Sequence, residues 1–156
     1  MRRKSHPARR GIGWRRRGSA VLQMAIVLPL LLYVMFGVAE FGQYFYIQSA
    51  FLAAARDAAR AAELHYAVQA DPGTAATHTL ATANVTFNSS WMTITDQTTG
   101  NTVSDVSTVS VGDTLVVGIV ATYAQIPNAF EPLTQLTGVG IGTAKLCSGY
   151  CTVIKQ

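Results

Sequence analysis

Chemistry in this chain would have to come from a few side chains, and their spacing argues against it. His6, His65 and His78 are scattered singly, with no H-E-x-x-H pair and no G-x-S-x-G nucleophile turn nearby. Gly138-Val-Gly-Ile-Gly142 resembles a phosphate loop only superficially, because it lacks the G-x-G-x-x-G spacing and a following helix, and it reads as a glycine-rich strand. Cys147 and Cys151 are separated by three residues, not two, and no histidine cluster lies beside them. The sequence therefore offers no catalytic residue, no metal-ligand set, no cofactor site and no small-molecule substrate site, and it points to a protein that is not an enzyme.

What can position these residues is set by charge. Of the 12 Lys and Arg residues, eight fall within Met1–Arg17, and the first acid is Glu40. Beyond Gly18 the balance is Arg56, Arg60, Lys145 and Lys155 against all 8 Asp and Glu, so the body of the chain is acidic. Gly18 to Ala39 carries no charge over 22 residues, which as a helix is about 33 Å long, against a hydrocarbon core of about 30 Å. A basic cluster abutting such a run marks a cytoplasmic flank and excludes nucleic acid as the partner of the basic tail. The expectation is a single-pass membrane protein of the inner (cytoplasmic) membrane, with its N-terminus inside, a span at about 19–39 and the C-terminal part outside. In that compartment Cys147 and Cys151 are expected to form a disulfide. Ser148-Gly149-Tyr150 reads as the turn of the hairpin that the bridge would pin.

Helical spacing continues past the span through Phe41, Tyr44, Phe45, Gln48, Phe51, Leu52, Ala55, Ala59, Ala62 and Tyr66. One helix is predicted from about Ser19 to Tyr66, helped by alanine and by the i,i+3 pairs Asp57–Arg60 and Arg60–Glu63, with Asp71-Pro72-Gly73 ending it. Thr74 to Ala83 reads as a short helix with Thr74 as its N-cap. Val85–Phe87, Trp91–Thr95, Val103–Val111 and Leu115–Tyr123 then read as strands between turn signals, completed by Val139–Cys147 and Cys151–Ile154. The fold class is α+β: a basic leader at 1–18, a long N-terminal helix at 19–68 whose inner half is transmembrane, and an exported antiparallel β-rich domain at 69–156.

The order of features resembles a known family. Arg17-Gly18 and Ser19 are followed by Val-Leu-Pro-Leu-Leu-Leu at 27–32, Phe36-Gly37-Val-Ala-Glu40-Phe41-Gly42, Tyr46, and Ala54-Ala55-Arg56-Asp57-Ala58-Ala59-Arg60. Over roughly Arg17 to Ala62 this resembles the TadE-like pseudopilins of the tight-adherence (Flp-type) pilus. Val111-Gly112-Asp113, the strand ending at Tyr123, and Pro127 extend the likeness more loosely. The resemblance implies a pilin-type helix and a minor pilin or pilin-like subunit in assembly of an adhesive filament. It implies cleavage of the Gly18–Ser19 bond by a prepilin peptidase, and other pilins or pseudopilins and the Tad secretion machinery as partners.

It also directs attention to particular positions. Pilin-type sequences usually carry Glu and then an aromatic at the fifth and sixth positions after the cut, where this chain has Gln23 and Met24, and a neutral amide bonds an amine about half as strongly as a carboxylate does. Pro29 frees the carbonyl of Ala25 and softens the helix. Glu40 reads either as an interfacial carboxylate or as a group that pairs with a partner helix on assembly. With Phe41, Gly42, Arg56, Asp57 and Arg60, these residues form the expected packing and assembly set. Two other readings stand beside this one. Gly37-Val38-Ala39 is a tolerable signal-peptidase site, which would release a soluble periplasmic protein, and an uncleaved bitopic anchor would present a domain that binds another envelope protein.

Overall fold

The computed structural model describes residues 15–64, 71–126 and 145–156. Two compact units are present, one ending at Phe36 and the other Gly37–Gln156. The predicted strand over Val139–Cys147 therefore falls largely outside the described residues, as do His6, His65, the glycine-rich run Gly138–Gly142 and Tyr66.

Helix α1 runs over Arg15–Glu63 with Pro29 inside it. In the first unit its large apolar side chains from Val21 to Phe36 are all exposed. The helix from Ser19 is long and apolar enough to cross a membrane, by length and composition, with an 18-residue stretch of mean hydropathy 2.3 that is not buried at all. An apolar surface on every side of a helix is the pattern of a segment solvated by lipid.

In the second unit α1 becomes two-faced. Glu40, Ile47, Phe51, Ala54, Ala55, Ala58, Ala59 and Ala62 are buried, with Tyr44 packed against them. Steps of three and four residues place all of them on one stripe. The alanines let neighbouring elements approach closely, while Phe51, with 0% of its surface exposed, supplies the large anchor, worth about 2–3 kcal/mol of burial.

Helix α2 spans Pro72–Thr82. Asp71 caps it by accepting the Gly73 N–H at 3.0 Å, and Pro72 takes the first turn, where its missing donor costs nothing. Asp71-Pro72-Gly73, read from sequence as a stop for the first helix, is thus the start of the second, and the cap is Asp71, not Thr74. The second helix is tied to the first by the Thr79 hydroxyl, which donates to the Asp57 carboxylate at 2.6 Å.

Three strands form an antiparallel sheet in the order β1 (Met92–Asp96), β2 (Thr114–Thr122), β3 (Leu146–Ile154). Inward positions Ile94, Leu115, Val117, Ile119, Ala121 and Cys147 alternate with more exposed neighbours and join the helical stripe in one core. Two predicted strands are absent. Val85–Phe87 is irregular, and Val103–Val111 holds only a 3₁₀ turn at Val106–Thr108. There Asp105 accepts from the Ser107 N–H at 2.9 Å and from its hydroxyl at 2.7 Å, a local bonding choice that competes with a strand ladder.

The disulfide is corrected as well. Leu146–Ile154 is one continuous strand without the turn expected at Ser148-Gly149-Tyr150. Cys147 and Cys151 are free, four residues apart on an extended strand and so about 13 Å from each other, where a bridge requires Cα atoms within about 7 Å.

Candidate assembly surface

The predicted site residues divide between exposed positions on the apolar part of α1, buried positions and outward positions on the second unit. Gly18 lies in the first turns of α1. Ser19, Gln23, Met24 and Pro29 are exposed on the first unit. By intrinsic propensity Gly18 is the weakest position of its helical turn, costing about 1 kcal/mol relative to alanine.

Glu40 behaves as neither sequence reading anticipated. Only 1% of its surface is exposed, and it holds an interaction within the chain, so it is neither a solvated interfacial carboxylate nor a group held in reserve. Its neighbours Phe41 and Gly42 face outward, and nothing lies within 4 Å of a Cβ built on Gly42. Val38, Phe41, Phe45, Tyr46 and Leu52 are exposed beside the buried stripe. Three of them, Phe41, Phe45 and Leu52, belong to the periodic set that marks the helix in the sequence.

The Ala-Ala-Arg-Asp-Ala-Ala-Arg block is likewise divided. Its four alanines are buried, while Arg56 and Arg60 are exposed. Arg60 reaches Asp57 at 4.0 Å in an exposed i,i+3 pair, an interaction of a few tenths of a kcal/mol. Asp57 has its firmer contact with Thr79. The motif therefore joins an intrachain packing surface to a charged outer edge.

Sequence reasoning missed the contacts that fasten β3. The Gln48 amide donates to the Ser148 carbonyl at 2.8 Å and accepts the Ser148 N–H at 3.1 Å. Tyr44 donates its hydroxyl to the Leu146 carbonyl at 3.2 Å, and Lys145 stands 5.9 Å from the centre of its ring. Gly149 lies against the backbone of α1: an added Cβ would overlap the Phe51 carbonyl and come within 2.9 Å of the Leu52 Cα. Gln48 was visible as a member of the helical period, but nothing in the sequence marked a strand edge as its partner.

Burial pushes the Cys147 thiol up to about 11, so at neutral pH it is a protonated apolar side chain, not a nucleophile. The Asp96 carboxyl lies below the usual carboxylate range, chiefly because the Thr99 hydroxyl donates to it at 2.6 Å, with the Thr98 N–H at 2.8 Å. That pattern closes a turn and is not a catalytic arrangement. No group of three or more His, Cys, Asp or Glu suited to a metal occurs among the described residues.

The class these observations define is a membrane-type apolar helix that continues as the packing helix of a small α+β unit. Residues 18–60 match the family model described as TadE-like protein. The match begins at the glycine ahead of the span and ends at the last arginine of the motif. It is confined to α1, so α2 and the sheet lie beyond it. Comparison with curated proteins and with solved structures finds no match for the chain. The chain thus carries a TadE-like segment over residues 18–60.

Proposed function

We propose that the protein is a minor pilin or pilin-like subunit in assembly of a tight-adherence pilus. A prepilin peptidase cuts the Gly18–Ser19 bond, the helix from Ser19 holds the subunit in the inner membrane, and the unit from Gly37 faces outside. On assembly the apolar surface of α1 leaves lipid for the helices of other pilins or pseudopilins under the Tad machinery. The observation that carries this reading is the coincidence of the TadE-like match with a helix whose apolar surface exceeds what the described residues cover. Val21 to Phe36, then Val38, Phe41 and Phe45, remain outward while the opposite stripe packs into the core. Gln23, at the position of the family's carboxylate, offers a neighbouring amine only neutral hydrogen bonds, which favours an accessory position over that of a major filament subunit.

N-terminal sequencing of the protein from its native host should read Ser19 first, and Gly18→Ala should leave the precursor uncut. An intact Met1 in cells with an active prepilin peptidase would overturn the processing step.

One observation favours a second reading. The outer unit begins at Gly37, the start of the small-x-small site Gly37-Val38-Ala39, so cleavage there would leave that unit nearly whole as a soluble periplasmic protein. The same sequencing separates the two, because this route yields Glu40 as the first residue.

A further inference from the structure

The sheet has two edges, and they are treated differently. Along β1 the outer edge is closed by the chain itself: Val103 donates its N–H to Ile94, Asp96 donates to Asn101, and Thr95 and Thr102 form a bridge. On β3 the start of the edge is closed by α1, through Tyr44 on Leu146 and Gln48 on Ser148. Beyond Gly149 that cover ends.

Main-chain direction follows from alternation. Ser148 gives both of its main-chain groups to Gln48, so the residues that exchange bonds with β2 are Cys147, Gly149, Cys151 and Val153. The inward series continues at Lys155, which donates to Asp113 and accepts from Gly112. Tyr150, Thr152 and Ile154 therefore turn their N–H and C=O groups outward, where the contact shown among the described residues is a weak one, the Cys151 thiol donating to the Thr152 carbonyl at 3.9 Å.

An open edge invites another strand unless charge, proline or a bulge guards it. Leu146–Ile154 contains no charge and no proline, and its register with β2 is unbroken. The adjacent Lys155 is no guard, being 6% exposed with its Nζ donated to the Val106 carbonyl.

We infer that the outer edge of β3 from Tyr150 to Ile154 pairs antiparallel with the same edge of a second copy, across a two-fold at Thr152. In that register Thr152 meets Thr152 of the second copy, and Tyr150 meets Ile154. Aromatic with β-branched and threonine with threonine are favourable cross-strand neighbours, and both Tyr150 and Ile154 are already exposed. Charge selects this line of approach. The unit from Gly37 carries eight acids against four bases, so two copies repel over most orientations, while the β3 edge brings no charge to its partner. Five residues per copy bury well below the roughly 1,000 Å² that a stable free dimer needs. The pairing is accordingly one for copies concentrated by a shared membrane, where tethering raises effective concentration.

The full chain in lipid vesicles tests this through two variants. In a Cys151→Ser background, Thr152→Cys should cross-link to a dimer under mild oxidation, because hydrogen-bonded antiparallel pairs hold their Cα atoms about 5.5 Å apart, within disulfide range. Thr93→Cys, exposed on the far strand, should stay monomeric. Equal cross-linking at both positions, or none at Thr152→Cys, would overturn the pairing. Thr152→Pro removes only an outward donor, a substitution that an edge strand tolerates. Energy transfer between copies labelled through Val116→Cys should fall to the monomer level in that variant. Transfer that survives it, in a chain that still melts cooperatively, would assign association to another surface such as α1.

Discussion

Replacing Gln48 with Met isolates the clasp between α1 and β3. Methionine keeps the unbranched length of the side chain, so packing against the strand is largely retained, while both hydrogen bonds to Ser148, at 2.8 and 3.1 Å, are lost. A net value of about 0.5–1.5 kcal/mol per bond gives about 1–3 kcal/mol in all. Ser148 is half-buried, so water re-solvates part of the freed edge and keeps the cost away from the full penalty for two unpaired groups. Gln48→Ala should cost about 1 kcal/mol more, for packing it also removes. Two measurements apply to the full chain in detergent micelles. Denaturant unfolding gives the stability change, and amide exchange reads the site itself. The Ser148 N–H should lose protection in Gln48→Met, while Gly149 and Cys151, which face β2, keep theirs until global unfolding. A Ser148 amide still protected in the variant, or a stability change below about 0.5 kcal/mol, would refute the clasp and with it the assignment of outward groups along β3.

Gly149→Ala should destabilise the outer unit by about 2–3 kcal/mol or prevent its folding, because the new methyl meets the backbone of α1 and not a movable side chain; a thermal melt unchanged from the parent would contradict the close approach. Reductant should leave thermal stability unaltered, since Cys147 and Cys151 are free. In the native state a thiol reagent should modify Cys151 well before Cys147, whose burial raises its pKa to about 11, and a slow Cys151 with a fast Cys147 would reverse the assigned faces of β3. The Asp96 carboxyl lies below the ordinary aspartate value of 3.8, so its stabilisation is fully present above that pH and is lost as pH falls through the lower folded-state value. Asp96→Asn should therefore flatten the acid limb of a stability–pH profile, and an acid limb as steep as the parent's would show that other carboxylates carry it.

The long helix was legible because its period of three and four persists from the span to Ala62. Which face it buries was not. Phe41, Phe45 and Leu52 repeat with the same period as Tyr44, Phe51 and Ala55, and a helix with two apolar faces gives one signal for both. β2 was legible almost to the residue, since Leu115–Tyr123 is rich in Val, Ile and Thr and is interrupted only by Gly118. β3 was not, because Ser148-Gly149-Tyr150 has the composition of a turn, whereas the glycine is there to admit the α1 backbone at Phe51 and Leu52. Val103–Val111 misled in the opposite direction: its valines suit a strand, but Asp105 bonds Ser107 and draws the segment into a 3₁₀ turn. Asp71-Pro72-Gly73 breaks a chain and also begins a helix, and local composition alone cannot rank those roles.

The two-faced helix also explains how one sequence block meets two demands. In Phe36-Gly37-Val-Ala-Glu40-Phe41-Gly42, Glu40 turns into its own unit while Phe41 and Gly42 stay outward. A carboxylate is costly to bury, so its place at the first fully buried position of the stripe marks where α1 ceases to suit lipid on every side. From there the alanines commit one face to the core, and the remaining face keeps Phe41, Phe45 and Leu52. A helix designed only as an anchor would not need an outward apolar face beyond the bilayer, and one designed only as a core element would cover it with charge. Retaining both faces on one helix is what a subunit requires if it is stable alone and still has an apolar surface left for a partner.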